Sequence, residues 1–357
     1  MEIGLLQIMQ TFGYDHLDDG GVYEEEVKIA LQAEALGYDH IFVVEHHFED
    51  YAICPDNFVY LSYIAGRTKR IRLGTGAVIV PWNTQPLRVA EKAALLDNLC
   101  GGRLILGLGR GLSRREYGQF GIDMAESRDR FDEATPMILD ALESGWMEEH
   151  KGKFFDQPRA PIRPKPTASF KDRKVQVAMS PDSVIEAARH GAQMVSFSFK
   201  EIQDHADEYR TYCEAFKEFN EGAKPPPLML VESTVCDSDP GRAQELRERY
   251  VGNLFNVVNY HYEFDSSHFD DIKGYASYGE QAKEMQQVEL SDAAKHFAEK
   301  ALAGTPQQII EGAKERLSIV GDLDLVCNTR FAGMPFEVPE TTVQLIGKEV
   351  LPVIRSL

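Results

Sequence analysis

Short apolar runs alternate with longer amphipathic stretches along nearly the whole chain, and this alternation restricts the fold more than any other feature. Strands are predicted at Ile3–Met9, Asp39–Val44, Ile71–Val80, Arg103–Leu108, Val175–Met179, Met194–Phe199, Leu228–Cys236 and Leu323–Cys327. Between and after them, apolar residues recur at helical spacing: Val27, Ala30, Leu31 and Ala35 form one face of Glu24–Leu36, with Gly37 beyond its end. Further helices are predicted at Asn57–Gly66, Pro86–Leu99, Arg128–Gly145, Ser183–Arg189, Asp204–Phe219, Gly241–Asn259, Thr305–Val320 and Pro339–Ile354. Strands alternating with helices pair in parallel, with the helices outside. Eight such units predict a fold of the α/β class, a single (β/α)8 TIM barrel over residues 1–357. The competing open sheet in two domains needs a linker between cores, and no Gly/Ser/Pro-rich linker divides the chain. His150–Ser169, with four prolines, reads as a long connection. Residues 260–295, between the seventh and eighth strands, are polar, acidic and aromatic; an insertion this long in a barrel reads either as a mobile lid or as a partly helical surface insertion, and the sequence does not separate the two.

With 57 acidic against 38 basic side chains, the net charge of −19 argues against nucleic-acid and anionic-membrane partners. No apolar run is long enough to span a bilayer. The N-terminus shows no basic segment or cleavable signal pattern. The five cysteines are scattered, without a CxxC pair, which suits reduced thiols and gives no zinc motif. These features predict a cytoplasmic protein with no metal site.

In a barrel the chemistry lies where the strands end, so the residues just after each strand are the candidates. Glu45-His46-His47-Phe48 follows the second strand; alternation along extended chain lets one histidine face the mouth while the other packs sideways. A structural, hydrogen-bonded pair and a metal site are the other readings. Gly74-Thr75-Gly76-Ala77 puts glycine inside the third strand, where a ligand can approach closely or the strand can bulge. After the fourth strand, Gly107-Leu108-Gly109-Arg110-Gly111 opens the densest basic cluster in the chain, which either suits a phosphate or is a glycine turn with surface arginines. It lacks the third glycine of a dinucleotide fingerprint and the lysine of a P-loop. Met179-Ser180-Pro181-Asp182-Ser183 opens a helix whose amides and hydroxyls either bind a phosphate or merely cap the helix. Arg330, after the eighth strand, either lines the mouth or forms a rim salt bridge.

Together with Phe120-Gly121-Ile122-Asp123-Met124 and Gly304-Thr305-Pro306, these segments resemble, in order over nearly the whole chain, the bacterial luciferase-like flavin monooxygenases, most closely the luciferase α-subunit type. The resemblance implies reduced FMN bound at the C-terminal mouth, with His46 as the catalytic histidine. It implies Arg110 and Ser180 at the flavin phosphate, with Met179 and Ser183 in the same segment, and Gly109 in the cofactor site. Gly76-Ala77 matches the non-prolyl cis peptide beneath the isoalloxazine. His47 and Arg330 are carried over as substrate-pocket residues. Gly109 replaces a reactive cysteine, and Met179 and Arg330 replace acidic residues, so the aldehyde substrate and light emission do not follow.

The implied activity is a two-component monooxygenase. An NAD(P)H-dependent flavin reductase supplies reduced FMN, dioxygen adds at the flavin C(4a) carbon as a hydroperoxide, and a small hydrophobic organic substrate is oxygenated. The family also implies a homodimer. Three alternatives stay open: a dehydrogenase or reductase of the same fold using flavin or deazaflavin without dioxygen, a non-catalytic flavin-binding subunit, and a metal-dependent barrel hydrolase using His46 and His47.

Overall fold

The computed structural model describes residues 1–14, 17–270, 272–285 and 287–357. Its parallel strands are β1 (Ile3–Gln7), β2 (His40–Val43), β3 (Arg72–Thr75, resumed at Val78–Ile79), β4 (Leu104–Gly109), β5 (Lys174–Val177), β6 (Gln193–Phe197), β7 (Leu228–Ser233) and β8 (Leu323–Asn328). Each pairs with the next, and β8 returns to β1 with Leu5 opposite Cys327. The barrel is therefore closed, as the alternation predicted. Leu6, Phe42, Ile105, Val175, Met229 and Val326 fill its interior as one apolar cluster.

The outer layer begins with α1 (Asp19–Leu36), α2 (Asn57–Arg67) and α3 (Pro86–Leu99). The Asp18 side chain accepts the Gly21 N–H at 2.8 Å to start α1, and Gly37, at φ 87°, ends it. Then come the short α4 (Arg114–Gln119), α5 (Ser127–Ser144), α6 (Pro181–Arg189) and α7 (Ile202–Phe219). The connection before β5 carries two small antiparallel ribbons, Trp146–Met147 with Ala160–Pro161 and His150–Lys151 with Asp156–Gln157.

The third strand is interrupted where the sequence reads as continuous. Gly76–Ala77 is a cis peptide, and the ladder to β4 resumes at Val78 opposite Leu108. Across the gap the Thr75 hydroxyl accepts the Gly107 N–H at 2.7 Å and donates to the Gly107 carbonyl at 2.9 Å. A Cβ on Gly107 would stand 1.9 Å from the Thr75 carbonyl oxygen, so this strand position admits only glycine.

The insertion also begins earlier than the expected residue 260. The chain leaves the barrel at Cys236 and rejoins it at Gly304, which pair as a parallel bridge, with Gly304 N–H donating to Val235 O at 3.0 Å. Between them lie α8 (240–262), α9 (Ala276–Met285) and α10 (Leu290–Lys300). Leu254, Val258 and Phe297, from α8 and α10, join the cluster of the barrel interior, so α8 covers the end of the barrel. The helix of the seventh unit is instead α11 (Pro306–Val320), opened by the Thr305/Gln308 capping box and packed on α7. The final helix, α12, spans 337–354. Among the described residues no helix is long and apolar enough to cross a membrane.

Candidate active site

A cavity of about 1090 Å³ lies between the C-terminal ends of the strands and the insertion. That slightly exceeds the roughly 300–1,000 Å³ of a pocket for one drug-sized ligand. His46, Gly76, Ala77, Gly109, Arg110, Met179 and Ser183 line it, so most of the residues singled out in the sequence converge there. Its inner wall is apolar, with Leu6, Val231 and Phe297; its opening carries Lys200, Glu201, Asp204 and Asp292.

Three of the expected residues stand elsewhere. His47 packs sideways, 4.8 Å from the Phe120 ring and 5.7 Å from Trp82 between ring centroids, and does not line the cavity. Ser180 is buried with its Oγ 2.9 Å from Ser183 Oγ, while its N–H donates to Ser183 Oγ at 2.9 Å; Ser183 presents the hydroxyl to the cavity. Arg330 is neither in the pocket nor on the rim. It is 3% exposed, donates to Glu25 at 2.6 Å and Glu26 at 3.2 Å, and lies over the Tyr14 ring. Two carboxylates on α1 outcompete the mouth for this guanidinium, because a desolvated cation needs paired charge.

His46 is fixed from two sides. Its Nδ1 lies 3.0 Å from Glu116 Oε1, which also accepts the His47 N–H at 2.7 Å. An ionised carboxylate only accepts, so Nδ1 is the donor in this pair and Nε2 is the ring nitrogen left for other partners. The Tyr262 hydroxyl, at the end of α8, stands 3.4 Å from that Nε2. Around the ring are Tyr51 and His261, each edge-on to it and stacked on one another at 4.0 Å. His261 Nδ1 donates to Glu49 at 2.7 Å, and burial, helped by His46 and Arg115, lowers its pKa to about 2.

Glu45 ties β2 to the broken third strand. It accepts the Ile79 N–H at 3.1 Å and the Trp82 indole N–H at 2.6 Å. Asn57 adds a second clamp, donating to the Ala77 carbonyl at 3.1 Å and the Val43 carbonyl at 3.3 Å. Gly109 faces Ala77: a Cβ there would lie 3.2 Å from Ala77 Cβ and 3.1 Å from Ile79 Cδ1, tighter than an ordinary contact.

Arg110 is gripped by the insertion. Its Nη2 donates to the Gly274 carbonyl at 2.7 Å and its guanidinium lies 4.1 Å over the Tyr275 ring, while the Tyr275 hydroxyl donates to Gly111 O at 2.7 Å. Its Nη1 is buried without a partner among the described residues. Arg128 also lines the cavity, paired with Asp132 and donating to Asp182 O at 3.3 Å beside the start of α6. A buried unsatisfied guanidinium nitrogen, a second arginine, the Ser183 hydroxyl and a helix N-terminus form a donor set for an anion, and a phosphate fits it.

The sequence model of the luciferase-like monooxygenase family matches residues 1–322. The chain belongs to the luciferase-like monooxygenases. Among relatives of this family member, an alkanal monooxygenase alpha chain from Photorhabdus luminescens is 26% identical over 345 residues, covering 92% of this chain and 91% of the relative. The oxygenase component of a flavin-dependent trigonelline monooxygenase from Acinetobacter baylyi is 28% identical over 226 residues, 61% of each chain. The crystal structure of the monooxygenase RslO1 from Streptomyces bottropensis superposes with a TM-score of 0.79 at 26% identity, covering 99% of both chains. The luciferase-like family thus accounts for the barrel and for a flavin-type enzyme.

Sequence reasoning missed Glu116, Arg128, His261, Tyr262 and the Gly274-Tyr275 pair. None follows a barrel strand directly. Only the density of arginines and aromatics in their segments marked them out.

Proposed function

We propose that this luciferase-like protein is the oxygenase of a two-component FMN monooxygenase, receiving reduced FMN from a separate NAD(P)H-dependent flavin reductase and oxygenating a small hydrophobic organic molecule. The observation that carries the reading is the unpartnered Arg110 Nη1 at the wall of a cavity that also holds His46 and the Gly76–Ala77 peptide. Arg110, Arg128 and Ser183 would hold the FMN phosphate, and Gly76, Ala77 and Gly109 would lie against the ring system. Reduced FMN supplies the electrons that activate dioxygen. The apolar wall orients the organic substrate and keeps water from the reacting centre. His46, its Nδ1 engaged by Glu116, offers Nε2 to accept or return a proton in the cavity. Residues 260–295 and the preceding α8 act as the lid. The size of the cavity supports room for flavin and substrate together. The expected homodimer forms through α2 and α3, whose Val59, Tyr63, Leu95 and Leu99 are exposed.

The deciding experiment is dioxygen uptake with reduced FMN across aldehydes, ketones and aromatics. A substrate that raises uptake and recovers one oxygen atom in its product supports the proposal. Flavin oxidation coupled to substrate in the absence of dioxygen would instead identify a hydride-transfer enzyme.

Gly274 gives a sharper check on the phosphate grip. Its φ is +81°, and a Cβ there would sit 2.2 Å from Arg110 Nη1. A strained backbone position of this kind costs about 1–3 kcal/mol, so Gly274→Ala is expected to weaken FMN binding roughly ten-fold or more. Fluorescence titration measures it; unchanged affinity would separate the insertion from cofactor recognition.

A further inference from the structure

Beside the cavity, three side chains of metal-ligating type meet. One ligand atom each from His46, Glu116 and His261 lies within 4.8 Å of the others. His261 and Glu116 are each 1% exposed, and among the described residues His261 Nε2 and Glu116 Oε2 are buried with no hydrogen-bond partner. Burying two such acceptors without a partner is costly, and a donor or a cation removes the cost. The ring of His261 is already set for ligation: Nδ1 donates to Glu49 at 2.7 Å, leaving the Nε2 lone pair free. A carboxylate behind a histidine is the arrangement that orients metal-bound imidazoles. Arg115, 2.7 Å from the other oxygen of Glu49, holds that carboxylate in place.

We propose that His46, Glu116 and His261 form a divalent-cation site of the zinc type, with Glu49 as its supporting carboxylate. Two imidazoles and one carboxylate suit zinc and leave a fourth position for water; magnesium, which prefers oxygen ligands, is disfavoured. His46 lines the cavity, so the ion reaches the site from there. His261 lies on α8 and His46 follows β2, so the ion would pin the insertion to the barrel and occupy the imidazole assigned to proton transfer. Zinc is accordingly an inhibitor here. The inhibition rests on the role proposed above for His46; the binding site itself does not, because its ligands are the protein's own and need no cofactor.

The test is calorimetric titration of Zn²⁺ into the flavin-free full-length protein. One ion per chain is expected, with binding at least roughly ten-fold weaker in His261→Asn and in Glu116→Gln, and about 10–100-fold weaker in Glu49→Gln. Mg²⁺ gives no saturable heat. Thermal melts establish that each variant is folded, and Glu49→Gln, outside the ligand set, keeps the test open if a ligand variant fails to fold. Absence of saturable Zn²⁺ binding, or equal binding by wild type and the folded variants, overturns the site. Neither result bears on FMN affinity, measured separately.

Discussion

His46→Ala is expected to bind FMN much as the wild type does and to lose on the order of 10²–10⁴ in substrate turnover, the range in which a positioned acid–base group contributes. The expectation rests on geometry. Glu116 holds Nδ1 at 3.0 Å, and Tyr51 and His261 pack against the imidazole. These contacts leave one nitrogen for chemistry, facing the cavity. Truncation leaves the anion donors at Arg110 and Ser183 untouched, so affinity and turnover separate. Stopped-flow oxidation of reduced FMN with substrate present, beside a flavin titration, measures both. Wild-type turnover in the variant would remove His46 from the mechanism. Parallel loss of binding and turnover would make it a structural residue.

Arg110→Ala is expected to lower FMN affinity by about 10–100-fold, corresponding to a charged hydrogen bond of roughly 1.5–3 kcal/mol, and to leave riboflavin affinity nearly unchanged. Riboflavin has the ring system and lacks the phosphate. The comparison matters because Arg110 does two things: its Nη1 has no partner among the described residues, while its Nη2 and its face engage Gly274 and Tyr275. If the arginine served mainly to anchor the insertion, both flavins would lose affinity alike. That equal loss would count against the phosphate contact.

The barrel was legible because each strand is short, apolar and followed by helical spacing, a pattern that depends only on near neighbours in sequence. The limits of the insertion were not. Gly241–Asn259 carries the same periodicity as a barrel helix, and only the pairing of Cys236 with Gly304, 68 positions apart, shows that α8 lies over the mouth instead. The site divides in the same way. His46, Gly76, Arg110 and Ser183 were found because strand ends converge in any such barrel. Glu116, Arg128 and His261 reach the site from helices, and no local pattern reports where a helix will aim. Arg330 shows the converse: its place after a strand suggested the mouth, but α1 presents Glu25 and Glu26 to it. In the third strand, glycine was read as a position of close approach or bulging, and the resemblance placed a non-prolyl cis peptide at Gly76–Ala77, where the structure has one; that the ladder resumes only at Val78 was not legible, because Val78 and Ile79 continue its β-forming composition.

The contact of Gly274 and Tyr275 with Arg110 bears on how such proteins diversify. The segment that lines the cavity also touches the guanidinium that we assign to the nucleotide tail. Transplanting this cover from one relative to another would therefore exchange substrate preference and coenzyme grip together. A functional chimera would need to carry the glycine–tyrosine pair across, or arrive with a weakened hold on its coenzyme.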